Sequence, residues 1–131
     1  MTIDVNYVIL LLRSLIGSAD YDDVWHLYDN VNSNNENDLM EIINREIIPS
    51  YNQVKRECQL NIKSSLAYFL RNNTDSLEYA FFSCLIAFNP PDDIRLFFIL
   101  IYERLYDDNW QTIKIDDIVI TNDIFIMNKC L

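Results

Sequence analysis

A chain of 131 residues with one glycine, Gly17, and three prolines has little material for tight turns. Two-residue hairpins need residues at positive φ, and phosphate-cradling loops need glycine where backbone meets ligand. Hairpin-rich β folds and nucleotide loops are thereby nearly excluded, and helices joined by short polar breaks become the default. Half of the residues are hydrophobic and 13% are aromatic, enough to fill a core. The expectation is one domain spanning residues 1–131. Its fold class is mainly α, a helical bundle of about six helices with room for a short β element at the C-terminus.

Hydrophobic spacing and stop signals place the helices. The first is expected from about Ile3 to Ile16, with Thr2 or Asp4 near its N-cap and Gly17 as its stop. A second opens in "SADYDDVWHLYDNV", capped by Ser18 or Asp20, with Asp22 and Asp23 in its first turn. After the polar break "NSNNEND", Leu39, Ile42, Ile43 and Ile47 form a helix face that Pro49 is expected to end. A longer helix follows from Tyr51 to Arg71, with Val54, Cys58, Ile62, Leu66 and Phe69 along its stripe. Thr74 or Asp75 can cap the next, which carries Leu77, Phe81, Cys84, Leu85 and Phe88.

In "FNPPDDIRLFFILIYERLYDDNW", Pro90 or Pro91 suits the first helical position, and Asp92 and Asp93 suit the first turn. The run from Ile94 to Leu105 is apolar nearly all round, the mark of a central helix. The tail "TIKIDDIVITNDIFIM" reads either as two or three short strands or as a short helix from Asp117.

Twenty acidic against ten basic residues give a net charge of −10. That sign opposes binding to nucleic acid or to an anionic membrane and steers the chain toward basic protein surfaces. Solubility is the plainer account of the same charge. The N-terminus lacks a positive n-region, and apolar runs such as Leu96 to Tyr102 are too short to span a bilayer. Three cysteines are an odd number without ligand-like spacing, so neither a disulfide framework nor a zinc site is expected. A reducing, cytoplasmic setting fits such a chain.

One short motif occurs twice: "YDDVW" at Tyr21 to Trp25 and "YDDNW" at Tyr106 to Trp110, each with one of the two tryptophans. The flanking sequences share nothing else, so this is not an internal repeat. In the first copy the carboxylates sit at an expected helix N-terminus, where the dipole stabilises them. In the second they sit at a C-terminus, with Glu103 one turn earlier, where lysine or arginine would be expected. Both tryptophans read as core.

Little in the chain suggests catalysis. His26 is the only histidine, and its spacing to Asp22 and Asp29 is common by chance. There is no nucleophile–base pairing, HExxH, GxSxG or Walker loop, so an enzyme is not expected, nor a metal or a cofactor.

The segment "FNPPDDIRLFFILIYERLYDDNWQTIKIDDIVI" resembles the late part of small acidic immunity proteins of bacterial contact-dependent growth-inhibition and polymorphic toxin systems. The resemblance implies a cytoplasmic protein, monomeric when free, that neutralises a cognate, basic toxin domain, a nuclease acting in the cytosol. Acidic side chains would then speed association and aromatics would slow dissociation. The candidate residues are Asp107 and Asp108 with Tyr106 and Trp110, then Asp92 and Asp93, then Asp22 and Asp23. Replacing Asp107 and Asp108 with lysine is expected to weaken binding and leave the fold intact. A second reading is a viral Bcl-2-like helical decoy that binds host signalling proteins, for which an all-helical C-terminus is expected. A third is an adaptor subunit in a constitutive complex.

Overall fold

The computed structural model describes residues 1–20 and 28–131. Tyr21, Asp22, Asp23, Trp25 and His26, and with them most of the expected second helix, lie outside the described residues.

The chain opens with a strand, β1 (Thr2–Asp4), and helix α1 (Val5–Leu11) starts only after it. The expected helical start at Ile3 is displaced because Ile3 pairs with Ile120. Asp4 is the N-cap, its carboxylate accepting from the Asn6 amide at 2.8 Å. The helix ends at Leu11, short of the expected Ile16, with Leu12 rather than Gly17 as its C-cap; a 3-10 turn, Arg13–Leu15, continues the path to Gly17 at φ 74°. The amides of Gly17 and Ala19 then donate to the carbonyls of Cys84 and Leu85 at 2.7 and 3.0 Å. With no second glycine in the chain, Leu85 and Asp117 take positive φ elsewhere, at 51° and 50°.

Helix α2 (Glu36–Ile42) is capped by Asn35, whose side chain accepts from the Asp38 amide. It passes through a π-helical segment, Ile43–Ile47, into α3 (Ile48–Asn52). Pro49 therefore does not end this helix. Its ring would collide with the carbonyl one turn back and it has no N–H to give, so the chain widens by one residue per turn just before it. The Ile48 amide accordingly bonds to the Ile43 carbonyl. The break comes after Asn52, and α4 (Arg56–Asn72) begins later than Tyr51. Its expected apolar stripe is buried throughout. Asn73, rather than Thr74 or Asp75, caps α5 (Thr74–Ser83), and Leu85 beyond it is exposed rather than core.

Helix α6 (Arg95–Leu105) is the central one: Phe97, Phe98, Ile101 and Tyr102 are wholly buried. Phe81, Phe88 and Phe97 pack edge to face around its first turns, with ring centroids 5.7 to 5.9 Å apart. It starts at Arg95 rather than at the prolines. The Pro90 carbonyl accepts from Ser33, the Asp92 amide donates to Asn34, and Asp93 turns its carboxylate onto the Arg95 amide as a local cap.

The tail matches neither expectation in full: it holds one strand rather than two or three, and its helix begins at Ile126 rather than at Asp117. Strand β2 (Val119–Thr121) pairs in parallel with β1, Ile3 opposite Ile120, and a short helix α7 (Ile126–Cys130) follows. Counting α2 through α3 as one, the described residues hold six helices and a two-stranded sheet. No helix among the described residues is long and apolar enough to cross a membrane.

The chain's two ends meet at Asp4, which is wholly buried. One carboxylate oxygen accepts from the Asn6 amide and side chain, both at 2.8 Å; the other accepts from the Thr121 hydroxyl and the Asp123 amide at 2.6 and 2.7 Å. A covalent tie lies beside this clamp. Cys58 of α4 and Cys130 of α7 form a disulfide, with Lys55 donating its amide to the Cys130 carbonyl. This corrects the expectation of free thiols: 72 residues of chain separate the two, and no sequence spacing signals a pair that only the fold brings together. Cys84 alone is free, buried, its thiol pushed up to about 11 by desolvation.

Two stability outcomes follow. Replacing Cys58 and Cys130 by serine releases a long closed loop and should lower the unfolding free energy by about 4 kcal/mol, read from urea denaturation. Asp4→Asn puts a donor among four donors and should cost about 1–3 kcal/mol by the same measurement. An unchanged midpoint in either variant would refute the corresponding role.

Candidate functional site

The sequence placed most weight on the stretch after α6, and the fold gives it a defined surround. The chain leaves the helix at Tyr106 in an extended conformation. Asn109 then organises a turn: its side chain accepts from the Gln111 amide, and its carbonyl from Thr112 and Ile113. Arg71 of α4 clasps this turn by donating to the carbonyls of Trp110 and Ile113, both at 2.6 Å. Tyr106, Asp107, Asp108 and Trp110 are thereby held on the surface between α4 and α6.

Asp108 is the centre of this arrangement. It pairs with Lys63 of α4 through one oxygen and accepts from the Tyr102 hydroxyl through the other. The Lys63 ammonium also lies 5.3 Å from the centre of the Tyr106 ring. Tyr106 stacks against Tyr102 and meets Tyr51 edge on, with centroids 4.8 and 5.9 Å away. The apparent misfit of two carboxylates at a helix C-terminus thus has a tertiary cause for one of them. Asp108 serves Lys63 and Tyr102, and only Asp107 remains without a basic partner among the described residues.

These contacts fix the protonation of the cluster. The bond from Lys63, and then that from Tyr102, hold the Asp108 carboxyl below the usual carboxylate range. Burial, reinforced by Asp108, pushes the Tyr102 hydroxyl well above its ordinary value, and burial does the same for Tyr106. Near neutral pH the carboxylate stays charged and both phenols stay protonated, so the cluster is a static electrostatic feature that orients side chains.

Three depressions surround it. One, of about 500 Å³, has Glu103, Asp107, Asp108 and Trp110 on its walls. A second, of about 510 Å³, lies between Met1, Leu60, Lys63, Asp108 and Ile113. A third, of about 380 Å³, is bordered by Tyr51, Arg56, Leu60, Lys63 and Tyr106. Asp108 is shared by the first two, and Lys63 and Leu60 by the last two. The surface is uneven and mixed in character, with acid on one side and aliphatic and aromatic groups on the other.

The other candidates are elsewhere. Asp92 and Asp93 are exposed before the opposite end of α6 from Asp107, a helix roughly 16 Å long given its rise per residue. Asp93 is engaged with Arg95, whose guanidinium lies 3.0 Å away. The six described candidates therefore do not form one acidic face. Trp110, expected in the core, is instead half-buried and packs against it. Sequence reasoning missed Lys63 and Arg71, which nothing local ties to residues 45 and 39 positions away. Tyr102 did carry a signal: a phenol in an otherwise apolar helix needs a hydrogen-bond partner.

Among the described residues, no three His, Cys, Asp or Glu side chains stand close enough to share a metal ion. Comparison with protein families, with curated proteins and with solved structures gave no match for the chain.

The Asp108 pairing makes a pH prediction. Because its folded pKa is depressed, the stability it contributes is present above the ordinary carboxylate value, about 3.9, and is lost as pH falls through the lower folded value. With the side chain 40% exposed, the effect on stability is screened and small. Carboxyl NMR should show Asp108 titrating below the ordinary range, and Lys63→Met should move it upward. A midpoint at the ordinary value would deny the pairing.

Proposed function

We propose that the chain is a binding protein of the immunity type, which associates with a basic toxin domain and neutralises it through the surface around Asp108. The observation that carries this reading is the convergence of three depressions on one fixed cluster, with the carboxylates of Glu103 and Asp107 exposed at its rim. Exposed like charges raise the association rate with a basic partner, and the half-buried aromatics Tyr106 and Trp110 offer contact area at little entropic cost. The net charge of −10 acts in the same direction over longer range. Strand β2 weighs against the viral decoy, which calls for an all-helical C-terminus.

The proposal places the encounter in the cytoplasm. The Cys58–Cys130 disulfide pulls the other way, because such bonds persist in oxidising compartments. Trapping thiols in intact cells before lysis decides between them: a paired state in cells moves the encounter outside the reducing cytosol.

The test is a growth assay. The C-terminal domain of the reading frame immediately upstream should kill when expressed alone and be tolerated together with this chain. Harmlessness alone, or killing in both cases, would remove the reading. Asp107→Lys should weaken binding about tenfold at low salt, mainly in the association rate, with the difference shrinking as salt is added. Asp108→Lys is not a clean probe, because it sets lysine against Lys63 and leaves Tyr102 without its acceptor.

A further inference from the structure

One exposed apolar part of the described chain lies at the sheet. Val119 and Ile120 are 58% and 61% exposed although they point to opposite faces of β2, and Ile118 before them is 40% exposed. A strand buried on neither face is unusual, because two strands alone are marginally stable. The edge is also open. The Val119 amide donates to the Met1 carbonyl, and the terminal ammonium reaches the Asp117 carbonyl, both at 2.9 Å. Odd-numbered residues therefore turn their backbone groups toward β1. In a parallel ladder the residues between them turn theirs away, which leaves Ile118 and Ile120 facing outward.

We propose that this edge accepts a third strand from a partner protein, an extended segment in which lysine or arginine alternates with β-branched residues. The backbone groups of Ile118 and Ile120 supply the pairing, and alternate side chains of the incoming strand cover Val119 or Ile120. Charge selects the occupant. Asp117, at the entry to the strand, is exposed; its backbone carbonyl holds the terminal ammonium, but its carboxylate has no basic side chain paired with it among the described residues. Its neighbour Asp116 holds only Lys114, at 3.2 Å, with both side chains largely in solvent. A second copy of this chain would bring another −10 to the same place, whereas a basic segment is attracted. The inference rests on the proposed function only for the sign of the partner's charge.

The test needs no toxin. The probe is a capped peptide of alternating lysine and valine, with a glutamate-for-lysine version as control, added at millimolar concentration to the labelled protein. Hydrogen exchange of single amides is then read by NMR. The lysine peptide should slow exchange of the Ile120 amide at least tenfold and leave Val119 and Thr121, already in the ladder, unchanged; the glutamate peptide should do neither. Ile120→Pro removes an N–H that faces away from β1; the lysine peptide should then no longer slow exchange of the other outward-facing amide, that of Ile118, with the same circular dichroism and Tm. No slowing with the lysine peptide, or equal slowing at all three amides, would overturn the proposal. Slowing that follows protein concentration without peptide would assign the edge to a second copy instead. Failure of the growth assay with a positive peptide result would sink the toxin reading and leave the strand site standing.

Discussion

A carboxylate cut off from water must find donors inside the protein or cost several kcal/mol. Asp4 finds four, and where they come from sets the architecture: two from Asn6 at the start of α1, and two from Thr121 and Asp123 after the strand at the far end. The same residue caps the first helix, holds the sheet together and fixes where the tail turns toward α7. Its own amide donates to Ser65 of α4, so the clamp is seated on the longest helix. The disulfide from α4 to α7 then closes the same corner covalently. The helices could pack without this corner, but their order around the tail depends on it.

The helical part of the fold was legible because its signals are local. The stripe on α4 and the apolar run in α6 need only neighbours three or four residues away to be read. Two of the departures share one cause, which is a distant partner. Ile3 leaves the helix for Ile120, and the Asp92–Asp93 pair is drawn out of α6 by the loop around Asn34. Pro49 is a local exception. Proline disfavours one hydrogen-bond pattern, and the chain met that demand with a wider turn in place of a break.

The site divides in the same way. Sequence marked Asp107 and Asp108 as out of place but could not tell the two apart. Lys63 and Tyr102 account for Asp108 in structural terms, and Asp107 remains the carboxylate without a basic partner among the described residues. A charge that looks misplaced on its own helix is thus first to be tested against the neighbouring helix. Only what is left unexplained then points outward.

The pairing of Thr2–Asp4 with Val119–Thr121 also has a bearing on how the protein is made. Translation proceeds at about 5–20 residues per second, so the first strand waits on the order of ten seconds for its partner to be synthesised. Through that interval Ile3 and the Asp4 carboxylate have no sheet to join, while α1, α4 and α6 can already gather. Closing the corner therefore comes late relative to helix formation, because Ile3 and Asp4 reach their partners only once residues 119–123 have been made.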